Sequence, residues 1–270
     1  LGVSEAAYLR PLLHGLSSPE SLFEPVVDLP AANSIHLNER TGNTRCAFLS
    51  PIDYARSGGP YRIVPGVSIA SSTPTRTITL TINPGVRNIR TIAVDVRVTS
   101  EIILARIVLL ERLRNLPGSR ANLEFIPMMP SLEGMLAKAD AALIVNFSPS
   151  PEPASREFSI DLVEEWSDMT GLPYVHGFWV SREEDLDPGR VEALVEAKRR
   201  GIEAMEETIL SVALDAHASE EAVREYFGSF NYDFGQDQTD SLAEFFSYAY
   251  YHGVLGDVPE LNFFEAPPTN

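Results

Sequence analysis

The sequence predicts an α/β fold in which one lobe is inserted into another. Three observations carry that prediction. Short β-branched runs alternate with helical stretches as far as about residue 182, and beyond it the chain reads as helical. Two extended stretches, near 72–76 and 174–180, bracket the middle segment. With 270 residues the chain is long for one ordinary core and short for two independent domains, so one two-lobed unit fits its length. The expected partition gives residues 1–74 and 181–270 to a first lobe and 75–180 to a second, with hinge strands near 72–77 and 174–180.

The elements follow in order. Ser50-Pro51-Ile52-Asp53 sets a capping hydroxyl, a first-turn proline and an acid in the sequence that starts a helix, and Ser57-Gly58-Gly59-Pro60 stops it early. Tyr61–Ser71 runs extended. Thr77–Ile82 alternates strictly, with Ile78, Leu80 and Ile82 on one face and Thr77, Thr79 and Thr81 on the other, which reads as a solvated strand face. Asn83-Pro84-Gly85 is a turn. Thr91–Val96 is a strand leading through Arg97 and Val98 to Thr99-Ser100. There EIILARIVLLERL opens as a helix apolar almost all round, and therefore buried. Leu123–Pro127 is a strand, Ser131–Ala139 a helix, Ala141–Val145 a short buried strand, and 146–157 a polar, proline-rich loop.

Asp161–Met169 is helical and ends at Thr170-Gly171, where glycine suits the left-handed position after the last turn. Pro173 prevents resumption, and Tyr174–Val180 emerges as an apolar strand with His176 inside it. One further helix starts at the Asp187 cap, a second at Ser219, and a third covers Asp240–Gly253.

Composition narrows the partners. Hydrophobic residues at 44% and charged residues at 22% are ordinary for a globular protein. The formal charge, 21 − 38 = −17, argues against nucleic acid or an anionic membrane surface as partner. No run approaches the roughly 18–20 apolar residues of a membrane span. LGVSEAAYLRP has no basic region ahead of an apolar one, so a cytoplasmic location is expected. One cysteine, Cys46, leaves no intramolecular disulfide and no cysteine-rich zinc site, and its apolar setting makes it a buried thiol.

Phosphate-cradling glycine motifs, H-E-x-x-H and G-x-S-x-G are all missing, and the five histidines show no metal-ligand spacing. What remains is a set of hydroxyls at helix starts: Ser50 before one helix, Thr99 and Ser100 before another. A helix N-terminus offers unpaired N–H groups and about half a positive charge, so with a hydroxyl it can hold a carboxylate without a basic residue. Two such starts facing each other across a cleft would suit a dicarboxylate; plain N-capping is the other reading. Arg76 and Arg97 could serve an anion as well.

Several blocks then point to a family. DLVEEWSDMTGLPYVHGFWVSRE resembles the "DL…EW…TGLPFV…W…R" block of the chorismate dehydratase family of the futalosine route to menaquinone. SPIDYARSGGPYRIVPGVSIAS, VTSEIILARIVLLERL, YLRPLLHGL and EYFGSFNYDF resemble other patches of that family in the same order, over nearly the whole chain. The resemblance implies a type II periplasmic-binding-protein-like fold, with a central cleft between two α/β lobes and two crossover strands as hinge. Tyr174–Val180 would be the return crossover.

It also implies a reaction: chorismate, a small anionic dicarboxylate, loses its ring hydroxyl as water with a neighbouring ring proton, giving 3-[(1-carboxyvinyl)oxy]benzoate. Neither metal nor organic cofactor is implied, and the protein would act as a monomer or homodimer. The family's substrate-facing serine falls on Thr77, the expected catalytic position; its "T-S" falls on Thr99 and Ser100, and its serine before "IEYA" on Ser50. Its asparagine in "YLN" falls on Tyr8, and its "I-G-D" is here Val145-Asn146-Phe147. Tyr8, Ser50, Thr99, Ser100, Asn146 and His176 are therefore the expected substrate-binding residues. A non-catalytic cleft-binding protein of the same fold, for another small carboxylate, is the alternative expectation.

Overall fold

In the computed structural model, residues 1–17, 23–27, 45–113, 123–149 and 158–266 are described. The elements run β1 (Gly2–Val3), a 3-10 turn (Ala7–Leu9), α1 (Arg10–Gly15), β2 (Val26–Val27), β3 (Cys46–Leu49), α2 (Pro51–Ser57) and β4 (Tyr61–Ser71). Then come β5 (Ile78–Ile82), β6 (Thr91–Asp95), α3 (Ser100–Leu113), β7 (Glu124–Met128), α4 (Leu132–Leu136), β8 (Ala141–Val145) and β9 (Ser159–Asp161). The last part holds α5 (Leu162–Thr170), β10 (Tyr174–Arg182), α6 (Pro188–Glu203), α7 (Met205–Ala216), α8 (Glu220–Gly228) and α9 (Gln236–Tyr251).

Among the described residues two five-stranded sheets result, in the orders β2-β1-β3-β10-β4 and β7-β6-β8-β5-β9. They repeat one plan. In the first, β1 is parallel to β2 and β3, and β10 runs antiparallel to both β3 and β4. In the second, β6 is parallel to β7 and β8, and β5 runs antiparallel to both β8 and β9. Each sheet thus receives one antiparallel strand that the chain brings over from the other: β5 follows β4, and β10 follows α5. These are the two crossover strands of a two-lobed α/β fold.

Their position explains the apolar sequence of β10. Lying between β3 and β4, it is buried from Tyr174 through Ser181. Trp179 meets Phe48 edge-on at 5.2 Å, and Phe178 meets Tyr54 at 5.5 Å. Gly177 is required there, since a Cβ would stand 2.5 Å from the Phe48 ring and 2.7 Å from the Leu49 carbonyl oxygen. The turn before the strand follows expectation: Gly171 caps α5 at φ 71°, and its N–H donates to the Ser167 carbonyl. One core cluster runs through both sheets, from Leu49, Ile63 and Val180 to Leu80, Val94 and Leu143, with Phe245 and Phe246 of α9 packed into it.

Some expectations change. The threonine face of β5 is covered: Thr77 is 2% and Thr79 8% exposed. The unpredicted edge strand β9 pairs alongside, and the hydroxyls of Thr81 and Ser159 lie 3.1 Å apart. Alternation marks two faces without saying what covers the polar one. The helix from Asp187 breaks at Ala204 into α6 and α7, α4 is shorter than Ser131–Ala139, and α9 begins at Gln236 rather than Asp240. Of the loop expected over 146–157, residues 150–157 lie outside the described part.

Candidate functional site

Helices α2 and α3 belong to different sheets, and they start against each other. Ser50 caps α2 from an extended backbone: its Oγ accepts the Asp53 N–H at 3.3 Å and donates to Asp53 Oδ2 at 2.7 Å. From the other side Thr99 Oγ1 donates to Asp53 Oδ1 at 3.1 Å. One residue on, Ser100 Oγ accepts the Ile52 N–H at 3.0 Å in a fully buried contact. The two hydroxyl-bearing helix starts singled out in the sequence therefore do meet. The carboxylate held between the hydroxyls is the protein's own, Asp53.

Beside this junction lies a cavity of about 60 Å³. Tyr8, Ser50, Thr99 and His176 line it, four of the seven expected site residues. Asp53, Arg97, Glu101 and Phe147 line it too, with Ser4, Phe48 and Val98. The other three expected residues do not face it. Ser100 is spent on Ile52 beneath the wall. Thr77 is buried in the first crossover, its Oγ1 2.5 Å from Thr75 Oγ1. Asn146 holds the same crossover, donating its backbone N–H to the Thr77 carbonyl at 2.7 Å and its Nδ2 to the Arg76 carbonyl at 3.2 Å. Its neighbour Phe147 reaches the cavity and accepts the Ala7 N–H at 2.6 Å, which ties the strip carrying Tyr8 to the second sheet.

The charges are unevenly placed. Arg97 is bound to Asp95, Nε to Oδ1 at 3.0 Å and Nη2 to Oδ2 at 2.6 Å, with its guanidinium 5.9 Å from the Phe147 ring centre. Burial works against the Asp95 carboxylate, but Arg97 holds its pKa below the usual range. Glu101 is pushed the other way, up to about 7, first by burial and then by the charges of Asp53 and Asp95, against the N–H groups of Glu101 and Thr99. Burial pushes His176 down to about 3, so it is a neutral ring. It lies 3.0 Å from Ser71 Oγ through Nε2 and is packed among Tyr8, Tyr174 and Phe230 at 5.0–5.4 Å. The Tyr8 phenol is raised well above 10 by burial, with the Glu101 charge adding to it. Among the described residues no three His, Cys, Asp or Glu side chains converge as a metal site.

Asp53 and Glu101 were not among the expected site residues. Asp53 reads in sequence as an ordinary first-turn acid. Glu101 had one signal available, as the sole acid in the first ten residues of an otherwise apolar helix.

A cleft between two sheets of this order, each completed by the other's crossover strand, defines a periplasmic-binding-protein-like fold. Solved structures agree. Protein AF1704 of Archaeoglobus fulgidus matches with a TM-score of 0.66 at 18% identity, over 94% of this chain and 97% of that one. The periplasmic aliphatic sulphonate binding protein of Escherichia coli matches at 0.61 and 14% identity, over 97% and 93%. The Candida albicans CA3427 product, described as having the generic periplasmic binding protein fold, matches at 0.61 and 12%, over 98% and 97%. The model of the menaquinone biosynthesis family matches residues 1–251, and the chain belongs to that family. No helix of the described residues is long and apolar enough to cross a membrane.

Proposed function

We propose that the protein is a lyase of the chorismate dehydratase type, acting within menaquinone biosynthesis. Membership of the menaquinone biosynthesis family over residues 1–251 carries this reading. The cleft is compatible with it. The Ser50 and Thr99 hydroxyls and two helix starts already hold one carboxylate, Asp53, and form a donor set that a substrate carboxylate can share. A cavity of about 60 Å³ is far below the ~300 Å³ of small-ligand sites, so binding widens the cleft and loosens the Thr99–Asp53 contact. Aromatisation of the ring supplies the driving force, and the protein's task is to orient the dianion and stabilise developing charge. In this account Tyr8 stacks on the ring, while Thr77 and Asn146 set the crossover geometry away from the cavity.

The test is incubation of the purified protein with chorismate, followed by mass spectrometry for the product lighter by one water. Time-dependent product is expected; its absence at substrate saturation sinks the reading. One observation favours a second reading, a non-catalytic cleft-binding protein. Asp53 and Glu101 both line the cavity, and the arginine on its wall is committed to Asp95. Such a wall disfavours a dianion. Absence of both turnover and thermal stabilisation by chorismate would support that reading.

A further inference from the structure

We propose that the protein carries a second small-molecule site beside the first crossover, suited to a zwitterion of the class of free amino acids. The site is a cavity of about 490 Å³, within the range of ligand pockets, and it shares no lining residue with the cavity of the cleft. The proposal does not depend on the lyase reading.

Three parts of the chain form its walls. Arg76 comes from the segment that crosses from β4 to β5, Thr79 and Glu164 from β5 and α5, and Glu225 from α8. Some groups on these walls are already committed. Asp161 accepts the Arg76 N–H through Oδ2 at 2.6 Å, and the Val163 and Glu164 N–H groups through Oδ1 at 2.9 and 3.2 Å. The Ser159 hydroxyl lies 3.1 Å from that of Thr81, and Ser229 donates to the Tyr226 carbonyl at 2.7 Å.

Four groups are not committed. The Thr79 hydroxyl, the Arg76 guanidinium and the carboxylates of Glu164 and Glu225 have no hydrogen-bond or ion-pair partner among the described residues. Thr79 is the most telling of them. Its side chain is buried, 8% exposed, and stands on the cavity wall. A buried hydroxyl normally has a partner, so this one is a hydrogen bond left for whatever enters the cavity.

Arg76 is the second pointer. Of the two arginines that could serve an anion, Arg97 is bound to Asp95 and Arg76 is free. Its backbone sits at φ 55°, a region that residues with a Cβ avoid. Asp161 holds it there by the N–H, and Asn146 Nδ2 holds it by the carbonyl at 3.2 Å. The backbone is fixed from both sides, and the guanidinium is left over. An unpaired guanidinium recognises a carboxylate, and an unpaired carboxylate recognises an ammonium group. A simple anion would meet Glu164 and Glu225, and a simple cation would meet Arg76. A molecule carrying both charges can answer each of the three, with Thr79 as a neutral contact.

Titration calorimetry of the full chain with each of the common amino acids, up to about 10 mM, is the experiment. At least one should bind, and its N-acetyl and methyl ester forms, each lacking one of the two charges, should bind about tenfold more weakly or worse. Arg76→Gln should weaken binding by about ten- to hundredfold, the loss of a charge-assisted contact. Thr79→Val, which keeps the shape of the side chain and breaks no bond within the protein, should fold like wild type and bind about three- to tenfold more weakly. Tyr8→Phe, in the cleft, should leave this binding unchanged. Failure of every amino acid to bind overturns the site. Binding that survives both Arg76→Gln and Thr79→Val, or that is lost in Tyr8→Phe, overturns its location, and equal binding of the N-acetyl and ester forms overturns the zwitterion.

Discussion

The two helix starts that meet at the cleft are built from similar residues and do different work. At α2 the cap is local: Ser50 and Asp53 bond to one another within one turn. At α3 the two hydroxyls reach outward. Thr99 reaches Asp53 and Ser100 reaches the Ile52 N–H, so both hydroxyls are spent on the other sheet's helix, and the acid of the turn, Glu101, faces the cavity. A helix start that satisfies itself only ends a loop. One that satisfies its neighbour joins two lobes and leaves its own acid half-buried beside the charges of Asp53 and Asp95.

Four substitutions break that contrast, in falling order of effect. The first is Glu101→Gln, read as stability against pH. The folded pKa of about 7 lies above the ordinary 4.5, so the folded state holds its proton longer than the unfolded chain does. Stability attached to Glu101 is therefore fully present below about pH 4.5 and is lost as pH rises to about 7. Glutamine, which has no such charge, should stabilise the protein at pH 8 by on the order of 2 kcal/mol and change it little at pH 4.5. Chemical denaturation at the two pH values measures both; equal effects at the two would sink the idea.

The second is Ser100→Ala. It strips the buried Ile52 N–H of its acceptor, which should cost about 1–3 kcal/mol of stability. The third, Ser50→Ala, removes an N-cap that is half-exposed and also answers to Asp53, and about 1 kcal/mol is expected. Denaturant midpoints at constant m-value order the pair. If Ser50→Ala proved the costlier, the distinction between a cap that serves its own helix and one that joins two lobes would fail.

Much of this molecule was legible in the sequence, and the rest was hidden for definite reasons. Periodicity and cap chemistry located α2, β4, β8, the end of α5 and the apolar strand β10, because those signals are local. The covered threonine face, the edge strand β9 and the break at Ala204 depend on distant packing, which periodicity does not report. At the cleft, the hydroxyls of Ser50 and Thr99 stood out as residue types at helix starts, and the fold brings them together. Thr77, Ser100 and Asn146 carried the same kind of signal, yet their polar groups are engaged away from the cavity, in the crossover for Thr77 and Asn146 and in the lobe contact for Ser100. Sequence gives the donors, but not which way they point. Glu101 escaped because an acid in the first turn of a helix is ordinary, and only the enclosure around it makes it otherwise.

The smallest substitution asks most directly which ligand the cleft suits. Asp53→Asn keeps the size of the side chain and an oxygen for the Thr99 hydroxyl, so stability should move by less than about 1 kcal/mol. What it removes is a negative charge in the place where a ligand carboxylate must come. If the ligand is an anion such as chorismate, that charge opposes it, and its loss should tighten binding by roughly fivefold, about 1 kcal/mol of relieved repulsion in a partly screened site. The same change should lower the Glu101 pKa, because Asp53 is one of the charges raising it. Titration calorimetry with chorismate at pH 7.5, on wild type and variant, reads the affinity. Tighter binding by the variant means that the α2–α3 junction is a carboxylate seat partly filled by the protein's own acid. Weaker binding means that Asp53 is itself a ligand contact, and the preferred ligand then carries a hydrogen-bond donor or positive charge where chorismate carries a carboxylate.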